Sequence, residues 1–344
     1  MFRHILVPLD GSPRAEQAIP IAVRLARASR GMITLFRAVN PVAEVSAYGL
    51  GGIYVASCRI EDELSRARSY LEQCSRDSLL LEALRAGMSL QTHATLGNPA
   101  ELILAQTANP GEPAIDVIVM SSHGYTGMKR WMLGSVAEKV ARHALVPVLL
   151  VREGGPLRAH LQPDGEKRMR VLVPLDASPR SQDALAPAAQ LIAALSSSGQ
   201  GELHLAQMIV PPERTNLRER EELFQAASAN LAEIGKNIRE GLVARFGPDL
   251  HPRLSWSVSF TDDIAEGIVR LAEEGEKRAG EALLPPSDVI ALTTHGFGGG
   301  ERWQIGSIAG RILHATRLPM LLVRPEDMLR KTRQDRMQHA GAER

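Results

Sequence analysis

Apolar residues in this chain come in short unbroken runs, and between the runs they recur at helical spacing. That alternation predicts parallel strands covered on both faces by helices, since half-exposed antiparallel strands would alternate apolar with polar residues. The run Ile5-Leu-Val-Pro-Leu9 stops at Asp10-Gly-Ser-Pro, after which Ala15, Ala18, Ile19, Ala22, Val23, Leu25 and Ala26 mark one face of a helix. Further strands are predicted at Met32–Val39, Ser89–Thr95, Ile115–Met120 and Pro147–Val151, with helices near 60–86, over Pro99–Thr107 and over 135–143. Five strands and their connecting helices make a doubly wound sheet. The second half repeats the series, with strands at 170–175, 202–209, 253–260, 288–293 and 319–323. Its helices are predicted at 179–195, 214–245, 263–277 and 307–316.

The repetition extends to wording. His4-Ile-Leu-Val-Pro-Leu-Asp10-Gly-Ser-Pro-Arg14 returns as Arg170-Val-Leu-Val-Pro-Leu-Asp176-Ala-Ser-Pro-Arg180. Ser121-Ser-His-Gly124, nine residues, then Gly134-Ser135 returns as Thr293-Thr-His-Gly296, nine residues, then Gly306-Ser307. Offsets of 166 and 172 residues keep order and direction, so the chain is a tandem duplication of a whole domain rather than a short solenoid repeat. The expected division is a first domain over 1–152, a linker over 153–167 rich in Gly and Pro, a second domain over 168–325, and a charged tail over 326–344 that is a frayed helix or disordered. Val45 to Ser57, rich in Gly and Ala, reads as a mobile loop.

Length agrees, because 344 residues suit about two domains. Forty basic against thirty-nine acidic residues leave a net charge of +1, so no overall field draws the chain to nucleic acid or to a membrane surface. Any anion has to be caught locally. No apolar run reaches the roughly 20 residues of a membrane-spanning helix, and the N-terminus enters a strand without a signal-peptide layout, which predicts a cytoplasmic protein. Cys58 and Cys74 have no counterparts in the second half and read as reduced structural thiols.

In an open parallel sheet the ligand crevice lies beyond the carboxyl ends of the strands. Three segments of each half fall there in this reading: the turn at Asp10 or Asp176, the loop at Gly97-Asn98 or its counterpart, and the loop entering the helix at Ser135 or Ser307. Gly124 and Gly134 allow close backbone approach to an anion, and a helix N-terminus offers unpaired N–H groups and a positive dipole end. Ordinary capping is the other reading of Gly-Ser before a helix. Asp10 and Asp176 suit either a ribose hydroxyl or their own helix N-termini. His123 and His295 read as hydrogen-bonded structural histidines, Lys129, Arg130 and Arg302 as solvated charges, and Trp131 and Trp303 as packing anchors. Walker, Gly-x-Gly-x-x-Gly, Gly-x-Ser-x-Gly and His-Glu-x-x-His motifs do not occur.

Val7-Pro-Leu-Asp10-Gly-Ser, Met120-Ser-Ser-His-Gly124-Tyr-Thr-Gly, Gly134-Ser135-Val-Ala-Glu-Lys-Val and Val146-Pro-Val-Leu-Leu-Val together resemble a universal stress protein domain, and both halves carry the likeness. The resemblance implies two Rossmann-like doubly wound five-stranded parallel sheets in tandem, of the adenine nucleotide alpha hydrolase-like type. One branch of that family binds ATP through Gly, two residues, Gly, nine residues, Gly-Ser/Thr. Carried across, Pro8, Asp10 and Val39 border adenine and ribose, while Met120, Ser121, Gly124, Gly134, Ser135 and Val136 hold ribose and phosphates. The second set is Pro174, Asp176, Ile209, Leu292, Thr293, Gly296, Gly306, Ser307 and Ile308. Both copies depart from the motif at its first glycine, Ser121 or Thr293, where a side chain narrows the crevice or adds a hydroxyl contact. In the second copy Asp262-Asp-Ile-Ala-Glu266 stands where the first has Gly97-Asn-Pro-Ala-Glu101, and a carboxylate there is expected to repel phosphate.

The implied function is a stress-response protein binding ATP, with or without magnesium, or a related adenine nucleotide. Occupancy would alter the surface offered to an unidentified protein partner, with at most slow hydrolysis. The alternative is a nucleotide-free interaction module of the same fold, and a third class is an adenylating or hydrolysing enzyme. The family's habit of pairing last strands implies an internal pseudo-dimer through Val148–Val151 and Met320–Val323, or a homodimer.

Overall fold

The first predicted strand forms as β1 (His4–Pro8), buried at every position. The computed structural model describes residues 1–40, 53–108, 114–123, 133–157, 168–196, 201–246, 252–276, 284–296 and 305–331. These fall into two units, Met1–Glu153 and Gly154–Arg344.

In the first unit β1 is followed by α1 (Pro13–Glu16), α2 (Ala18–Ser29), β2 (Met32–Val39), α3 (Ile53–Ser75), α4 (Ser78–Arg85), β3 (Ser89–Leu96), α5 (Pro99–Ala108), β4 (Val117–Ser121), α6 (Ser135–His143) and β5 (Val148–Val151). The second unit runs β6 (Arg170–Pro174), α7 (Pro179–Gln182), α8 (Leu185–Leu195), β7 (Glu202–Ile209), α9 (Leu217–Phe246), β8 (Arg253–Phe260), α10 (Ile264–Glu274), β9 (Val289–Thr293), α11 (Ser307–Ala315) and β10 (Met320–Val323). Strand order is β3-β2-β1-β4-β5 in one unit and β8-β7-β6-β9-β10 in the other. The pairings inside each unit are parallel. Chain direction across the sheet reverses between β1 and β4, and between β6 and β9, so each unit has its switch point beside its first strand.

Carboxylates fix the central strands at their amino ends. Asp116 Oδ2 accepts from the N–H groups of Arg3 and His4 at 2.7 and 3.0 Å. Its counterpart Asp288 accepts from Arg170 N at 2.8 Å. Backbone donors at a buried strand start are thereby satisfied.

Two local readings are corrected, and of the two offered for the tail the helical one describes its first residues. The single helix predicted near 60–86 is two, because Asp77 caps a new start by accepting from Leu79 N at 2.8 Å. That pair also begins earlier than expected: α3 takes in residues 53–57 of the predicted mobile loop, whose residues 45–52 lie outside the described set. The tail is helical over 326–331, where Glu326 N–H donates to Asp183 Oδ2 at 2.8 Å and Arg180 Nη2 to Asp327 Oδ2 at 2.7 Å. Charge pairing rather than apolar burial holds this segment, so the apolar pattern gives no sign of it. Residues 332–344 lie outside the described set.

The turn after the first strand shows how the two copies diverged. Gly11 has φ +91°, and a β-carbon there would come within 3.1 Å of the Arg37 guanidinium, which stacks 4.8 Å from the Tyr70 ring centre. In the second unit Ala177 holds the same left-handed turn at φ 63°, and Gln207 stands at the position of Arg37. An L-residue there carries about 1–2 kcal/mol of strain. Replacing it with glycine gives part of this back to unfolded-chain entropy. Ala177→Gly is therefore expected to stabilise the second unit by about 0.5 kcal/mol in urea denaturation. Gly11→Ala is expected to destabilise the first.

Candidate functional site

Each switch point holds a cavity at the carboxyl ends of its central strands. The first, of about 200 Å³, is lined by Pro8, Asp10, Met120, Ser121, Gly134, Ser135 and Val136 among the predicted residues. Sequence reasoning missed the rest of its wall, which includes Phe36, Ala38, Pro99, Ile103 and His123. The second, of about 380 Å³, takes in Pro174, Asp176, Leu292, Thr293, Gly296, Gly306, Ser307 and Ile308. Met208, Ile264, Ile268 and Ile312 complete its apolar side. Gly124 lies outside the described residues, as do Lys129, Arg130, Trp131, Arg302 and Trp303.

Val39 and Ile209 are not among the residues lining the cavities. The wall is lined instead by Ala38 and Met208, one residue earlier in each case. Side chains alternate faces along a strand, so Phe36 and Ala38 face one way and Val39 the other. Counting by twos from Phe36 reaches Ala38.

The turn carboxylates neither cap a helix directly nor stand alone. Ser12 and Ser178 are the N-cap residues of α1 and α7, accepting from Ala15 N and Ser181 N, each at 3.2 Å. Asp10 Oδ1 accepts from Ser12 N at 2.9 Å. Asp176 Oδ1 accepts from Ser178 N at 3.0 Å and from its hydroxyl at 2.6 Å. Each aspartate is thus aimed by the cap that follows it. In the second unit the other oxygen of Asp176 lies against Gly296, where an added β-carbon would collide with it. Close approach is what demands glycine there.

Ser121 and Thr293, at the first-glycine position of the motif, use their hydroxyls locally. Ser121 Oγ donates to His123 O at 2.7 Å and Thr293 Oγ1 to His295 O at 3.0 Å. Such hydroxyl-to-backbone bonds fix the start of a loop. The next residue orients the ring: Ser122 Oγ lies 3.0 Å from His123 Nδ1, and Thr294 Oγ1 lies 3.1 Å from His295 Nδ1. Burial first, and the Arg152 and Arg14 charges after it, push the His123 pKa below its ordinary 6.5, while Glu153 opposes them.

The helix entrance is bare of side-chain caps. Gly134 and Gly306 are the N-cap residues of α6 and α11 and contribute no side-chain hydrogen bond. Ser135 and Ser307 fall at the first helical position and are exposed. The first intrahelical bonds are Glu138 N to Gly134 O at 2.8 Å and Gly310 N to Gly306 O at 2.9 Å. The amides preceding Glu138 and Gly310 therefore lack intrahelical acceptors, and their residues line the cavities. Several N–H groups converging on one space can hold an anion.

The carboxylate expected to repel phosphate in the second site is engaged elsewhere. Asp263 is the N-cap of α10, accepts from Glu266 N at 3.0 Å and pairs with Arg311. Neither it nor Asp262 lines the cavity. In the first unit Lys139 pairs with Glu101 at 3.0 Å across the matching helices, so both copies tie these elements with one exposed ion pair.

The family model described as the universal stress protein family matches residues 1–152 and again 167–324. Among relatives, universal stress protein YxiE of Bacillus subtilis is 31% identical over 152 residues, 44% of this chain and 100% of its own length. A universal stress protein of Mycolicibacterium smegmatis is 25% identical over 329 residues, 93% of this chain and 97% of its own. The crystal structure of a universal stress protein from Archaeoglobus fulgidus covers 94% of this chain and 97% of its own, with TM-score 0.57 and 19% identity, and shares the fold.

Two outcomes follow from the geometry. Gly296→Ala is expected to displace the Asp176 carboxylate and to cost about 1–3 kcal/mol in denaturant unfolding, as overpacking does. His123 is expected to titrate below 6.5 when its ring protons are followed by NMR. The unfolded chain then takes up this proton first on acidification. The stability contributed by neutral His123 is accordingly full above the unfolded value and is lost as pH falls from about 6.5 toward the lowered folded value. His123→Gln should flatten that part of the stability profile.

Proposed function

The chain belongs to the universal stress protein family, with one match in each half, and we propose that it binds an adenine nucleotide, ATP foremost, in the cavity at each switch point. The observation that carries this reading is the pairing, in both units, of an apolar slot with an uncapped glycine-led helix start. Pro8, Phe36, Met120 and Ile103 offer the base a dry flank, Asp10 faces the ribose hydroxyls, and the amides of Ser135, Val136 and Ala137 receive phosphate. Pro174, Met208, Leu292, Ile268, Asp176 and the start of α11 take these parts in the second unit.

Binding in this reading is regulatory. Occupancy bridges the β1 turn and the α6 start, and the altered surface is what a protein partner in the cytoplasm responds to. Magnesium would enter as the counter-ion of the phosphates. Among the described residues, no helix is long and apolar enough to cross a membrane.

One observation favours the alternative, a nucleotide-free interaction module. The hydroxyls of Ser121 and Thr293 are already bonded to the loop backbone, which gives both departures from the motif a structural task. The two readings differ in what the purified protein carries. Denaturing it and analysing the released small molecules by chromatography and mass spectrometry is expected to yield ATP or a related adenine nucleotide. Calorimetry should then show that Ser135→Glu with Ser307→Glu weakens ATP by about tenfold or more, roughly 1.4 kcal/mol or above. An acidic residue in the first helical turn favours the helix, so folding should be preserved. Neither retained nucleotide nor saturable ATP binding would leave the interaction module standing.

A further inference from the structure

The two cavities differ in size, about 200 against about 380 Å³, although their strand-end and helix-entry residues correspond closely. The register of the sheets shows where the two walls differ. In the first unit Pro8 lies beside Phe36, and Phe36 beside His93. In the second the same row reads Pro174, Ala206, Ser257. Phe36 is buried against the edge of the His93 ring, with centroids 5.5 Å apart at 90°, and it lines its cavity as a rigid wall. Ala206 is buried without reaching the cavity lining.

Bulk lost from that row reappears on either side of it. One step toward the amino end, His204 replaces Thr34, and its ring nitrogens lie 2.7 Å from Ser255 Oγ and 2.9 Å from Ser257 Oγ. This pins the imidazole to the neighbouring strand, where its bond to Ser257 carries it toward the middle row. One step toward the carboxyl end, Met208 replaces Ala38 on the wall. A thioether chain is unbranched and adapts to what it covers, unlike a phenyl ring. The second cavity has an apolar flank at Ile264, Ile268 and Ile312. An added polar group would lose its water there without a partner, whereas an added hydrocarbon group gains burial.

We infer that the second cavity selects an adenine nucleotide whose base carries an apolar substituent of ring size, and that the Ala206 position, Phe36 in the first unit, sets this difference between the sites. The inference rests on the nucleotide reading above and deepens it. Met208 on the wall shifts as the substituent enters, and the Phe36 ring has no such freedom. One chain would thereby sample two nucleotides, unmodified ATP in the first unit and a base-modified relative in the second.

The test uses the full chain, with Ser307→Glu to silence the second site or Ser135→Glu to silence the first, titrated calorimetrically with ATP, N6-benzyl-ATP and 2-phenyl-ATP. Both sites should bind ATP. At least one aryl analogue should bind the second site within about tenfold of ATP and the first site more than about tenfold below it, the scale on which a hydrophobic pocket discriminates size. Ala206→Phe should abolish the analogue while keeping ATP, and Phe36→Leu should admit it to the first site. Should Ala206→Phe fail to fold by thermal melt, Ala206→Leu is expected to act in the same direction. Equal treatment of the analogues by both sites, preference for the first site, or an unchanged preference in the Ala206 variants would overturn the inference and leave the nucleotide reading intact. Failure of ATP itself to bind either site would overturn that reading and this inference with it.

Discussion

Both crevices depend on one backbone hydrogen bond. The amide of Gly134 donates to Ser122 O at 2.9 Å, and Gly306 N to Thr294 O at 2.7 Å. The acceptor residue is itself held, since Ser122 N donates to Val151 O at 2.9 Å and Thr294 N to Val323 O at 2.8 Å. A long connection is thereby closed at its base, and the helix that follows starts beside the end of a central strand. That position aims the unpaired amides of the first turn into the switch point instead of at open solvent. Glycine is needed because of this closure and not because of its backbone angle: Gly306 has φ −55°, which any residue adopts, but a β-carbon would press to 3.2 Å of Thr294 O. The same bond makes the helix entrance bare, since a glycine N-cap brings no side chain to satisfy the amides.

Around this closure the two copies diverged in compensating sets. Gly11 accompanies Arg37, whose guanidinium leaves no room for a methyl group, and Ala177 accompanies Gln207. Lys139 pairs with Glu101 where Arg311 pairs with Asp263, three positions before Glu266, the counterpart of Glu101, so the link between the two helices survived a move of its acidic partner. Phe36 against His93 became Ala206 beside Ser257, and His204, at the position of Thr34, is bonded to Ser255 and Ser257. Packing accounts for such changes coming together: an interior at organic-crystal density registers the gain or loss of single groups, so a lone substitution leaves a void or a clash.

The parallel sheets were legible because short unbroken apolar runs between amphipathic helices suit buried strands and little else, and the duplication was legible because it is written in residues. The strand-end and helix-entry parts of the site followed from these, since Pro8, Met120, Gly134 and their counterparts mark element boundaries. What escaped was sidedness and pairing. Ala38 rather than Val39 lines the wall, and the apolar stretch of β2 does not announce which face is which until a neighbour is known. Asp262 and Asp263 look repulsive in a linear chain, which does not show that Arg311, nearly fifty residues on, neutralises one of them. The capping serines were hidden for a similar reason. Asp10-Gly-Ser12 reads as a turn led by its aspartate, but it is Ser12 that caps the helix and Asp10 that supports Ser12.

Electrostatics limits how such a site can work. A chain of net charge +1 has no long-range field to gather anions, and a helix terminus contributes only about 0.3–1 kcal/mol at an exposed site. Affinity for a phosphate then has to come from several short N–H bonds made at once, with the apolar slot excluding water from the other end of the ligand. Both requirements are met by the same two elements, the first strand and the helix after the closed loop. A ligand that touches both cannot bind well unless they hold their spacing. It also cannot alter the protein's surface by more than its difference in affinity between two arrangements of that spacing.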